Sequence, residues 1–167
     1  KTYGANLSFY MDMAKYFFDQ KQADVGYKIL SNISERMPEK MLAQRILAYC
    51  LMEYQQWDLA FFYLSFVNQI APYEATSKRD LAVLYEHITS PEKPDFAIKS
   101  ANYYWQAILL DDSFDHDLAI TGLGELNHLI SKWKIDPGKI DKFDARFIAP
   151  IELDLRVVIS WTNNQAD

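Results

Sequence analysis

Three histidines, His87, His116 and His128, are all the imidazole chemistry that this 167-residue chain offers. Asp112, Asp115, His116 and Asp117 crowd one short stretch, but a loop followed by a helix cap accounts for them, with Asp115 as the capping residue. Glu125 and His128 share a helix face and could supply half of a metal site, yet no further pair completes it. Gly122-Leu123-Gly124 lies inside a helical pattern, not at the strand-to-helix junction that a phosphate-binding loop needs. Serine nucleophile motifs are absent. The single cysteine, Cys50, cannot form an internal disulfide and sits in an apolar helix, where it reads as a small core residue. The sequence therefore assigns no catalytic residue, no metal ligand and no cofactor, and the expectation is a non-enzyme. A metal-dependent hydrolase is the enzyme class left to test, by elemental analysis.

The elements around these residues are helical. Half of the chain is hydrophobic and 15% is aromatic, more than a disordered chain carries, so it buries a core. With only five glycines, the composition favours helices over a turn-rich β-fold. A net charge of −6 argues against binding nucleic acid through its phosphates. No apolar run reaches the ~18 residues that span a bilayer, and Lys1 does not open a signal peptide.

The chain is organised around Met41 to Pro72, MLAQRILAYCLMEYQQWDLAFFYLSFVNQIAP, which reads as two antiparallel helices echoed by its neighbours. Ala14, Ala48 and Ala82 recur at one fixed interval, and Pro38 and Pro72 keep the same spacing. Met13, Leu47 and Leu81 keep the slot before each alanine, and Phe17, Leu51 and Tyr85 the slot three residues after it. The slot one turn earlier is not kept, holding Tyr10, Gln44 and Lys78. In the second helices Gly26 matches Ala60, Leu30 matches Leu64, and Ile33 matches Val67. Small residues there allow the ~8–10 Å approach of crossing helices. A period of this length, ~34 residues, predicts stacked helical hairpins.

The spacing predicts helices from Asn6, as a cap, to Gln20 and from Ala23 to Arg36, and then the two helices of the central stretch. Tyr73 to His87 follows. Thr89-Ser90-Pro91-Glu92-Lys93-Pro94-Asp95 forms a loop, with Asp95 capping a helix from Phe96 to Leu110. Ala60 to Ala101 is longer than the period by seven, so the extra residues are inserted in this turn. A last helix from Asp115 to Trp133 covers the end of the stack. The predicted fold is all-α: a right-handed α-α superhelix of three hairpins plus a capping helix, over residues 1–134. Residues 135–167 form a linker and an extended tail. Asp136-Pro137-Gly138 is a turn, and Leu153 to Trp161, LDLRVVISW, alternates like a β-strand. A single strand makes no sheet, so it docks on the helices, pairs with another copy, or begins a truncated β-domain.

From about Leu7 to Leu110 the pattern resembles the tetratricopeptide repeat, a family that mostly binds peptides or proteins on a concave face. The segment FDARFIAPIELDLRVVISWTNNQAD, Phe143 to Asp167, resembles the entrance to a bacterial β-domain of unknown function. Members often carry a vault/inter-alpha-trypsin domain and helical repeats in large envelope-associated proteins. That resemblance implies a bacterial cell-envelope or periplasmic setting and carries over no catalytic residue.

In tetratricopeptide stacks the first helix of each hairpin lines the groove. The resemblance thus implies a peptide-binding groove of Met11, Lys15, Leu42, Arg45, Tyr49, Met52, Thr76, Arg79, Val83 and Glu86. Lys15, Arg45 and Arg79 would place one cation per repeat, suited to an extended segment with acidic and apolar side chains; ordinary solvated charges are the plainer alternative. Met11, Tyr49 and Val83 stand where the carboxylate-clamp type of this family needs other residues, so a chaperone tail is not the expected ligand. The chain's own tail is a second occupant, because Asp136, Asp141, Asp144, Glu152 and Asp154 accompany Phe143, Phe147 and Ile148. The expected partner is a protein or peptide, not nucleic acid or an inserted membrane. The alternative is a structural spacer in a large multidomain protein, without groove binding.

Overall fold

The computed structural model describes residues 7–111 and 117–149, and every regular element among them is helical. The α-helices are α1 Leu7–Asp19, α2 Ala23–Arg36, α3 Met41–Glu53, α4 Trp57–Ile70, α5 Ala75–Ile88, α6 Asp95–Leu110 and α7 Asp117–Trp133. Helices pack with their neighbours in sequence: α1 with α2, α3 with α4, α5 with α6, and α6 with α7. The architecture is all-α and built from consecutive helix pairs, as a helical-repeat fold requires.

The repeat period is also present in the backbone. Lys21 and Gln55, one period apart, both adopt the left-handed conformation, with φ of 59° and 58°. Each follows the first helix of its hairpin and closes it in the same way. Gln22 N–H donates to Phe17 O at 2.8 Å and Gln56 N–H to Leu51 O at 2.9 Å, the six-to-one bond of a left-handed helix stop. The turns between hairpins match too, with Met37 N–H on Ile33 O and Ala71 N–H on Val67 O. Pro38 and Pro72 come next, where no helical N–H is needed.

Side-chain size then sets how closely the helices approach. Ala14, Ala48, Ala82, Ala60 and Ala101 are all buried. At Gly26 a Cβ would stand 2.7 Å from the Phe18 ring, and that ring is itself held between Tyr27 and Tyr54. The slot that varies in sequence has its own explanation at Gln44. This buried side chain donates from Nε2 to the carbonyls of Met37 and Pro38, at 2.9 and 3.3 Å, tying α3 to the end of α2.

Two apolar clusters form the core. One joins α1 to α4 with Leu81 and Leu84 of α5; the other joins Ala82 of α5 to α6, α7 and the segment beyond. Helix α5 belongs to both. The buried Ser100 hydroxyl donates to Ala82 O at 2.7 Å, so the α5–α6 crossing leaves that polar atom satisfied.

Several boundaries differ from the sequence expectation. Helix α5 starts at Ala75 rather than Tyr73, and Asp95 is the first residue of α6, with Pro94 ahead of it and no side-chain cap. Asn6 and Asp115, the predicted caps of α1 and α7, lie outside the described residues. In the first turn of α7, Asp111 Oδ2 accepts from Ala119 N–H at 2.7 Å.

Packing also continues past Lys134. Ile135 and Ile140 are buried in the second cluster, and Phe143 packs on it. Phe143 and Phe147 rest on Trp105, with ring centroids 4.9 and 5.7 Å away. Asp136 caps the 3₁₀ turn Pro137–Lys139, and Asp144 caps Ala145–Phe147. The alternating segment Leu153 to Trp161, with Glu152, lies outside the described residues.

Candidate functional site

Turning from α3 to α5 brings Arg45 and Tyr49 against the start of α5. Arg45 Nε donates to Asp80 Oδ2 at 2.8 Å. Its Nη2 donates to Ser77 Oγ at 2.8 Å and also reaches Glu74 Oε2. Tyr49 Oη donates to the other Asp80 oxygen at 2.8 Å, and Ser77 Oγ to Glu74 at 2.7 Å. Asp80 is buried, so the Arg45 and Tyr49 donors replace its hydration.

One repeat further on, Arg79 of α5 reaches α7. Its Nε and Nη2 donate to the two oxygens of Glu125 at 2.9 and 2.6 Å, the fork geometry that makes arginine–carboxylate pairs strong. Beside it, Tyr104 of α6 donates to Glu86 Oε2 at 2.9 Å.

Burial sets the protonation behaviour. It raises the Asp80 carboxyl above its ordinary value despite the pull of Tyr49 and Arg45 in the other direction. Burial would also raise Glu74, but the hydrogen bonds from Arg45 and Ser77 outweigh it and hold that carboxyl low. Tyr49 and Tyr104 are both pushed up, first by burial and then by Asp80 and Glu86 respectively. Both therefore act as neutral donors. Cys50 is raised to about 11 by burial and by Glu53, so it is a thiol and not a thiolate.

Two adjoining hollows lie along this face. One, of about 320 Å³, is lined by Leu42, Arg45, Ile46, Tyr49, Thr76, Arg79, Asp80 and Val83. The other, of about 490 Å³, holds Arg79, Val83, Glu86, His87 and Tyr104, together with Glu125 and Trp133 of α7. Arg79 and Val83 belong to both. Trp133 Nε1 is buried there without an acceptor among the described residues.

Of the residues that the repeat pattern assigns to a groove, Arg45, Tyr49, Arg79, Val83 and Glu86 do come together, with Leu42 and Thr76. Three stand apart. Met52 is buried in the first core cluster, because the helix turns it towards the side of Leu51 and Ala48. Met11 packs on the edge of the same cluster, and Lys15 is exposed, 3.8 Å from Asp19 on its own helix. The expected row of cations takes a different form: Arg45 and Arg79 already hold carboxylates from within the chain.

The tail's described acidic and aromatic residues lie elsewhere. Neither hollow is lined by residues 135–149. Asn127 of α7 donates to Phe147 O at 3.0 Å and accepts from Ala149 N–H at 2.8 Å, while Asn102 of α6 accepts from Asp141 N–H at 2.8 Å.

Sequence reasoning missed Glu74, Ser77, Asp80, Tyr104 and Trp133, and gave Glu125 a different partner. Asp80 left no clear signal, since the equivalent slot holds the exposed Asp12 in the first repeat and Ile46 in the second. Glu125, paired with His128 as a possible metal couple, has both oxygens on Arg79 instead. Among the described residues no group of three or more His, Cys, Asp or Glu is placed to hold a metal ion, and no helix is long and apolar enough to cross a membrane. Compared with known families and with curated proteins, the chain matches no family model and no curated protein.

Proposed function

We propose that this chain is a non-catalytic interaction module, a tetratricopeptide-like right-handed superhelix whose α3–α5–α7 face holds an extended polypeptide segment. The observation that carries this reading is the pair of neighbouring hollows, which share Arg79 and Val83 along one face. Leu42, Ile46, Val83 and Trp133 offer apolar contact along it. Glu86, whose Oε2 already accepts from Tyr104, supplies a polar contact at one end.

The internal ion pairs change the ligand chemistry from that expected of a row of free cations. With Arg45 on Asp80 and Glu74, and Arg79 on Glu125, the face is not a basic strip. An extended segment with apolar side chains and neutral or basic flanks fits it better than an acidic one. The test is an array of extended peptides graded in charge, read against the wild-type chain and Val83→Lys, which blocks the shared floor. Binding of apolar, uncharged or basic peptides that V83K abolishes, while far-UV circular dichroism shows its helices kept, supports the reading. Preference for acidic peptides, or no binding at all, overturns it.

A spacer within a larger protein is the second reading, favoured by the way the same side chains fasten α3 to α5 and α5 to α7. In that case V83K leaves every interaction unchanged.

A further inference from the structure

Helix α4 carries an outward stripe that the repeat does not need. Leu59, Phe62, Phe66 and Ile70 stand 44%, 62%, 37% and 52% exposed, and Tyr73, just past the helix end, 84%. Their spacing of three, four and four residues keeps the first four on one face. The buried face of the same helix is made by Ala60, Leu64 and Val67, so the outward residues lie off the hairpin's main core face. In the equivalent positions of α2, one repeat earlier, Phe62, Phe66 and Ile70 are replaced by Lys28, Asn32 and Arg36. The repeat thus tolerates polar side chains here, and α4 departs from it.

We propose that this stripe is a self-association surface on which a second copy of the chain packs through its own α4. Charge points to a second copy. Asp58 is the only charged residue of α4. Antiparallel pairing about a two-fold axis sets Leu59 against the second copy's Ile70, and Phe62 against its Phe66. The two Asp58 carboxylates fall at opposite ends, so apolar groups meet apolar groups and like charges stay apart. Area agrees. The five side chains present roughly 500 Å² at the usual size of aromatic and aliphatic groups. Two copies therefore bury about 1,000 Å², the lower limit for a specific interface. The dimer is a weak one that assembles in the micromolar range and lies outside the groove reading above.

Sedimentation equilibrium of the whole chain across a concentration series tests this, with Phe62→Lys/Phe66→Lys as the disrupting variant. Tyr16→Lys is the control, because Tyr16 is equally exposed on a different helix, α1. All these positions are solvent-facing, and far-UV circular dichroism verifies that each variant keeps its helices. The expected result is a mass rising from one chain to two, with the midpoint shifted at least tenfold higher in F62K/F66K and unmoved in Y16K. A chain that stays monomeric to about 1 mM, on the scale of weak association, overturns the proposal. So does a dimer that survives F62K/F66K, or one lost in Y16K, which would place the interface on α1.

Discussion

Arg45 and Arg79 stand one repeat apart in sequence and behave alike in space: each reaches forward from its own helix to a carboxylate on the next odd-numbered one. Arg45 of α3 holds Asp80 of α5 at 2.8 Å, and Arg79 of α5 holds Glu125 of α7 at 2.6 Å. The repeat has turned a row of cations into a series of cross-links.

Asp80 is the member whose loss matters most, because it is buried and serves both Arg45 and Tyr49. Asp80→Ala leaves Arg45 with only Glu74 as an ionic partner and strands the Tyr49 hydroxyl. The expected cost is about 3 kcal/mol. Asp80→Asn keeps an acceptor for Tyr49 and costs about half as much. Urea unfolding of the two variants checks the order; equal losses would mean that Tyr49 does not depend on this oxygen.

Acid should weaken the same joint through Glu74. Its folded-state carboxyl lies below the ordinary 4.5, so the stabilisation is present at neutral pH and is lost as pH falls through that lowered value. Asp80 has the opposite sign. Raised above 3.8 by burial, it gives up stability as pH rises from there through its folded-state value. Glu74→Gln should therefore flatten the acid limb of a stability–pH curve, and Asp80→Asn should remove the opposing slope. An acid limb unchanged by E74Q would place the sensitive carboxylate elsewhere.

The two left-handed turns offer a stabilising change. Gln55→Gly removes the side-chain strain at φ 58° and should add about 0.5–1 kcal/mol. Lys21→Gly, at φ 59°, should behave the same way. Thr89, the equivalent position in the following repeat, has φ −67°, and Thr89→Gly should not stabilise. Thermal melts of the three variants separate a repeated backbone feature from a general effect of glycine.

Removing the chain after Lys134 strips Ile135, Ile140 and Phe143 from the second core cluster and uncovers Trp105. A fall in melting temperature is expected, with a loss of several kcal/mol at ~25 cal/mol per Å² of apolar surface. Asn127→Ala should cost about 1–2 kcal/mol by releasing Phe147 and Ala149. Unchanged melting in both would mean that this segment rests on the helices without holding them.

The helices and their small crossing residues were readable from sequence because Ala14, Ala48 and Ala82 recur at fixed intervals and each sits in a core. The ion pairs were not. Asp80 is 35 residues from Arg45, and Glu125 is 46 from Arg79, the latter interval lengthened by the inserted turn. Arginine on a helix looks the same in sequence whether water or a distant carboxylate faces it. Met52 was misplaced for a related reason: slot counting puts it one turn beyond Ala48, and only helix packing decides that this side faces inwards. The docking of residues 135–149 depends on Asn102 and Asn127 taking the place of backbone partners, which no composition rule reveals.

The inserted turn between Ile88 and Asp95 illustrates a broader freedom. Helix α7 is joined to α5 by Arg79 and Glu125 as well as through α6, so this face is braced without passing through that connection. Evolution can lengthen, shorten or recolour the turn, even load it with a recognition sequence of its own, while the wall behind it keeps its spacing.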